Sequence, residues 1–128
     1  MATVSVVGTG VDVVDVERFR RVLTRRPQVA RRIFTDAERE YATRKADPAP
    51  SLAARFAAKE ATMKALGVGL GAFRLRDAEV VRTSSGEPWL RLTGGAAALA
   101  ARRGAARFHL SLTHSALTAI AFVVAESE

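Results

Sequence analysis

Two carboxylates stand where the residues around them make an acid costly. Asp12 interrupts the valine-rich run GVDVVDV at residues 10 to 16, and aspartate is depleted in the half-buried strands that β-branched residues favour. The second, Glu60, lies in SLAARFAAKEATMKAL, residues 51 to 66. There Leu52, Phe56, Met63 and Leu66 make an apolar stripe at helical spacing, Lys59 fills the position left open within it, and Glu60 sits at its edge with Lys64 four residues on. A lysine or carboxylate in such a setting is costly unless it is paired or liganded. Two carboxylates on rigid elements can hold Mg²⁺, which takes one or two protein carboxylates and completes its octahedron with water and substrate phosphate. Ordinary roles are open to the same residues. Glu60 and Lys64 can form a plain i, i+4 helix pair, and Asp12 can be a buried polar group satisfied by its neighbours.

The elements that must position these groups follow from periodicity. Residues 3 to 14 (TVSVVGTGVDVV) read as a β segment with a glycine-bearing bend at Gly8 to Gly10. From Asp15, a plausible N-cap, Val16, Phe19 and Leu23 recur at helical spacing until Pro27 stops the helix. At roughly 100° per residue, Arg18, Arg21 and Arg25 fall opposite that stripe. A short helix around Val29 to Phe34 follows, then TDAE at Thr35 to Glu38, a capping-box signature for a helix reaching Arg44. KADPAPS reads as a linker, the long helix spans 51 to 66, and GVGLG at 67 to 71 is a C-capping loop. AEVVRT and PWLRL flank SSGE as a hairpin, residues 95 to 103 form an Ala-rich helix ended by Gly104, and RFHLSLTH and LTAIAFVVAE are two strands, the last apolar enough to be central. This order predicts an α+β fold, an antiparallel sheet packed against one long helix and several shorter ones, with residues 1 to 128 as a single domain.

Composition narrows the function classes. A chain of 128 residues buries about two thirds of its unfolded surface, enough for a real core. The longest apolar stretch is far short of a bilayer span and no basic-then-apolar leader opens the chain, so the expectation is a soluble protein with no membrane partner. The absence of cysteine excludes disulfides, zinc thiolate sites and cysteine nucleophiles, and fits a cytoplasmic location. The net charge of +7 comes from 17 Arg and 3 Lys against 13 acids, a field that draws polyanions or acidic proteins.

The remaining motifs are weaker. GTG lacks the third glycine and following helix of a dinucleotide fingerprint, and no GxxxxGK[ST] loop exists. Ser111 and Ser115 lack a nucleophile elbow, and His109 reads as an outward strand residue. The row Arg18, Arg21, Arg25 is either a solvated helix face or a dock for an acidic protein helix; it lacks the aromatic interleaving of a nucleic-acid surface. Read from the residues alone, the alternatives are a metal-dependent phosphoryl-group enzyme, including a phosphohydrolase, or a small basic module that binds nucleic acid or an acidic protein without catalysis.

Taken in order, GVDVVDVERF, SLAARFAAKEATMKALG, SGEPWL and FHLSLTHS resemble the holo-acyl-carrier-protein synthase family, the short type of 4′-phosphopantetheinyl transferase, over nearly the whole chain. The resemblance implies transfer of 4′-phosphopantetheine from coenzyme A to a serine of apo acyl carrier protein, dependent on Mg²⁺ and releasing adenosine 3′,5′-bisphosphate, in fatty-acid or polyketide biosynthesis. It places metal-binding and catalytic roles on Asp12 and Glu60 and coenzyme A contacts on Arg55, Lys64, Gly67, Pro88 and His114. Carrier-protein docking falls on the helix bearing Arg18, Arg21 and Arg25, and the resemblance implies a homotrimer with sites between subunits and no nucleic-acid partner. Lys59 is a candidate catalytic base if burial lowers its pKa, with a metal-bound water as the other candidate. The chain departs from the family pattern in Asp15, where glutamate is common, in Phe108, where tryptophan is frequent, and in the threonine of SLTH.

Overall fold

The structure is a computed structural model that describes residues 3 to 128. Its elements in chain order are β1 (Val6–Asp15), α1 (Val16–Arg25), α2 (Gln28–Ile33), α3 (Asp36–Thr43), α4 (Ala49–Ala65), a 3-10 turn at Leu75–Asp77, β2 (Ala78–Arg82), β3 (Pro88–Leu92), α5 (Gly94–Arg102), β4 (Arg107–His114) and β5 (Thr118–Glu126). The expected α+β architecture is present. Its antiparallel pairing is divided between a three-stranded sheet of order β1-β5-β4 and the hairpin β2-β3. The most apolar strand, β5, is central as its composition predicts.

The bend expected at Gly8 to Gly10 does not form. β1 runs through both glycines with one register shift between Val6 and Gly8. Their purpose is close approach: a Cβ on Gly8 would come within 2.0 Å of the Ala65 carbonyl oxygen, and one on Gly10 within 1.9 Å of that of Ala61. Only glycine lets the strand backbone lie directly against α4.

That helix is longer at its start than its apolar stripe suggests. It begins at Ala49, with Pro48 as N-cap and Pro50 in its first turn, where a missing N–H costs nothing. So the proline-rich linker is partly helical. Apart from Pro50, Phe56, Glu60 and Lys64, its residues are buried, because Ala53, Ala54, Ala57, Ala58, Ala61 and Ala65 let neighbours approach on every side. The helix is therefore enclosed on every side except the edge that carries Phe56, Glu60 and Lys64.

Side-chain caps start α1 and α3. The Asp15 side chain accepts from the Arg18 amide at 2.8 Å, starting α1 directly at the end of β1. Phe19 of α1 stacks on Phe56 of α4 at 5.2 Å between centroids and meets Phe34 edge-on at 6.1 Å. The capping box at Thr35 and Glu38 is formed in full.

Alternation along β1 gives the sheet two unlike faces. Gly8, Gly10, Asp12 and Val14 face α4. Val11 and Val13 face outward beside their β5 partners Phe122 and Ile120, and these four side chains are 55%, 63%, 44% and 37% exposed.

Candidate active site

Asp12 and Glu60, separated by nearly fifty positions, line one cleft of about 380 Å³ between β1, α1 and α4, together with Arg18, Phe19, Val22 and Phe56. The inward phase of β1 aims Asp12 at α4, and the Gly8 and Gly10 contacts set the distance. Lys64 does not form the i, i+4 pair with Glu60. Its ammonium reaches across to β1, donating to the Val11 carbonyl at 2.9 Å and to Asp12 Oδ1 at 3.3 Å. Among the described residues Glu60 has no hydrogen bond or ion pair. Burial, and then the neighbouring Asp12 carboxylate, push the Glu60 pKa up, with Lys64 opposing.

This donor set fits a divalent cation of the hard, oxygen-seeking kind. Among the described residues no group of three or more His, Cys, Asp or Glu is placed to hold a metal, so a cation would rest on two carboxylates and depend on water and substrate oxygens for the rest, the habit of Mg²⁺. Two like charges facing one cleft with a single lysine on one of them leave negative charge to neutralise.

Lys59 does not join this cleft, which corrects its assignment as a candidate catalytic base. Its side chain is fully buried and its ammonium donates to Glu38 Oε1 at 2.8 Å, the Ala78 carbonyl at 2.8 Å and the Leu75 carbonyl at 3.1 Å. All three donors are used. Burial lowers its pKa while Glu38 opposes that shift, but a lysine with no exposed surface and no free donor has no path to a substrate. Glu38, also buried, accepts in addition from the Thr35 and Val80 amides, so the pair joins α3, α4 and β2.

Arg55 and His114 line a second cleft, of about 510 Å³, with Tyr41, Lys45, Ser51 and Arg82. Arg55 is buried, donates to Ser51 Oγ at 2.7 Å and lies 4.3 Å over the Tyr41 ring, while its Nε finds no partner. Burial and then the neighbouring Arg82 guanidinium hold its pKa below the usual arginine value. Lys45, Arg55 and Arg82, with His114 beside them, outweigh the one carboxylate of the lining, Asp47, and make a cleft suited to an anion. Gly67 lies elsewhere, with Lys64 at the end of α4. Pro88 opens β3 opposite Arg82 and lines a hollow with Trp89 and Phe108. A single chain thus distributes the expected contacts over several surfaces.

On α1 the row Arg18, Arg21, Arg25 is exposed and makes no ion pair among the described residues, whereas Arg20 is held by Glu17 and Asp47. Arg18 also reaches the carboxylate cleft.

Comparison with known proteins decides the family. Residues 8–121 match the 4′-phosphopantetheinyl transferase superfamily. The chain belongs to this superfamily. A holo-[acyl-carrier-protein] synthase of Salinispora arenicola is 53% identical over 123 residues, covering 94% of this chain and 98% of the relative. Among solved structures, a holo-[acyl-carrier-protein] synthase from Neisseria meningitidis superposes with a TM-score of 0.85 at 33% identity, covering 94% of this chain and 98% of that one. One from Bacillus anthracis, in complex with CoA (3′,5′-ADP), gives 0.80 at 33% identity, covering 96% and 98%.

In this superfamily member the sequence singles out neither Tyr41 nor Arg82 and supports no ligand contact for Lys45, yet all three line the cleft of Arg55. Lys45, just past the end of α3, sets its ammonium 5.3 Å from the centre of the Tyr41 ring, but a tyrosine and lysine before a linker carry no signal of their own, and Arg82 comes from the hairpin. Only the fold brings the three together.

Proposed function

We propose that the protein transfers 4′-phosphopantetheine from coenzyme A to a serine of apo acyl carrier protein. The observation that carries this reading is the shared cleft of Asp12 and Glu60, open beside the unpaired arginines of α1, in a chain whose relatives are named holo-[acyl-carrier-protein] synthases. The substrate's diphosphate sits against the two carboxylates. Mg²⁺ held there by Asp12 and Glu60 would neutralise part of its charge and stabilise the leaving phosphate. Lys64 adds positive charge at the same edge, and Arg18, Arg21 and Arg25 draw an acidic carrier so that its serine meets the diphosphate in line. The serine oxygen forms a bond to the β-phosphorus as the bond to the bridging oxygen breaks, adenosine 3′,5′-bisphosphate leaves with the electron pair, and the serine hydroxyl proton passes to water. The cleft of Arg55 and His114 supplies further cations for the phosphates of coenzyme A. Residues 1 to 128 act as one transferase domain, and the absence of cysteine agrees with a cytoplasmic setting. Among the described residues no helix is long and apolar enough to cross a membrane.

The reading includes a homotrimer. The outward face of Val11, Val13, Ile120 and Phe122 is a contiguous apolar surface of the kind that marks an interface, and its strands carry apolar residues on both faces, as strands buried on both sides do. Association through it would bring the scattered contacts of one chain toward those of another. Phe122→Glu is expected to give a monomer by light scattering and to lose most transfer activity; a trimer that survives this change contradicts the assignment of the face.

The direct test is incubation with coenzyme A, Mg²⁺ and apo acyl carrier protein, read by mass spectrometry. The expected result is a carrier heavier by one phosphopantetheine, lost on chelation. No increment on several carriers would sink the proposal, and phosphate release without a carrier would point to a phosphohydrolase.

A further inference from the structure

The turn that ends α4 is met by the end of a second helix. Gly67 takes left-handed backbone (φ +72°), and its amide returns to the Lys64 carbonyl at 3.0 Å. α5 ends nearby: the Arg103 amide bonds back to Leu99 at 3.0 Å, and Gly104, also left-handed at φ +73°, turns the chain away. This closing turn lays the Arg103 guanidinium over Gly67, where a Cβ would stand 3.2 Å from Nη1. Lys64, Gly67 and Arg103 then line one open pocket of about 380 Å³ along Gly8 and Thr9 of β1.

Arg103 is exposed, and its guanidinium makes no hydrogen bond or ion pair among the described residues. It does not cap the α4 carbonyls, the ordinary use of a cation at a helix end. Lys64 already gives two of its donors to β1. An unpartnered guanidinium over a bare glycine turn, in a pocket that Lys64 also lines, suits a phosphate-bearing ligand. Because Lys64 also touches Asp12, a diphosphate at the carboxylate cleft extends toward this pocket.

We propose that Arg103 binds the diphosphate of coenzyme A alongside Lys64, an assignment that rests on the transferase reading above. Arg103 is a binding residue, and its contribution is charge.

The experiment measures coenzyme A binding by calorimetry and steady-state transfer for the wild type, Arg103→Gln, Arg103→Glu and Arg103→Lys. Loss of one charge-assisted contact in Arg103→Gln is expected to raise Kd and KM for coenzyme A about ten-fold, with a smaller effect on kcat and none on KM for the carrier protein. Arg103→Glu weakens binding further, Arg103→Lys retains most of it, and the salt dependence of Kd is shallower in Arg103→Gln. Equal Kd for coenzyme A in the wild type, Gln and Glu proteins overturns the assignment. Absence of transfer by the wild type overturns the transferase reading instead.

Discussion

Replacing Asp12 or Glu60 with alanine lowers phosphopantetheine transfer by roughly a thousand-fold, the scale on which removing one preorganised charge from a phosphoryl-transfer site acts. The protein stays folded. Asp12 is partly exposed and bound only to Lys64, and Glu60 has no internal partner, so neither removal leaves a buried group unsatisfied. Removing Asp12 also takes away a like charge beside Glu60. The losses are expected not to be additive: on the proposed reading the two residues hold one ion and act as a unit, so the double variant is scarcely worse than either single one. The measurements are the carrier mass increment over time and a thermal melt of each variant. A variant within ten-fold of the wild type at saturating Mg²⁺ would remove that residue from the site. A melt that collapses together with activity would turn the pair into a structural feature.

The route to those two residues was open in the sequence because each violates its local pattern, an acid among valines and an acid at the edge of an apolar stripe. Their meeting was not legible, since nothing in either segment states how closely β1 lies on α4. That distance is set by Gly8 and Gly10, which on the sequence read as a bend because a turn is the commonest reason for glycine in a strand. Close approach leaves the same letters. The valines carried a similar ambiguity: the run alone does not say which of them face inward, and in the structure Asp12 takes the inward face and Val11 and Val13 point outward, where only another surface gives them a reason to be apolar.

The long helix hid more. Its stripe placed Lys59 among core positions correctly, but the partner that makes this tolerable stands 21 residues earlier, inside a motif that already had an explanation. Glu38 reads as the N3 partner of Thr35 in a capping box, and it is one. A carboxylate has two oxygens and about four acceptor sites, so the same group also takes the Lys59 ammonium and the Val80 amide. A motif that accounts for a residue does not exhaust its bonds. Similarly, Tyr41, Arg55 and Arg82 come from three elements, and their stacking required α3, α4 and the hairpin to converge.

Lys59→Met destabilises the protein by about 3 to 5 kcal/mol, because it leaves Glu38 as a buried carboxylate without its counter-ion. Met fills the aliphatic volume, so the loss is electrostatic more than a cavity effect. Adding Glu38→Gln is expected to recover part of that stability by removing the orphan charge. Recovery is incomplete, since the Thr35 and Val80 amides together need two acceptors and a glutamine offers one oxygen. Urea unfolding midpoints for the single and double variants measure this coupling. The same proteins separate two roles for Lys59. A general base contributes about 10² to 10⁴ in rate, so a catalytic lysine would lose that factor per folded molecule and the double variant would not restore it. A lysine whose three donors are spent on Glu38, Ala78 and Leu75 loses activity only in proportion to the folded fraction, and regains it wherever Glu38→Gln restores the fold.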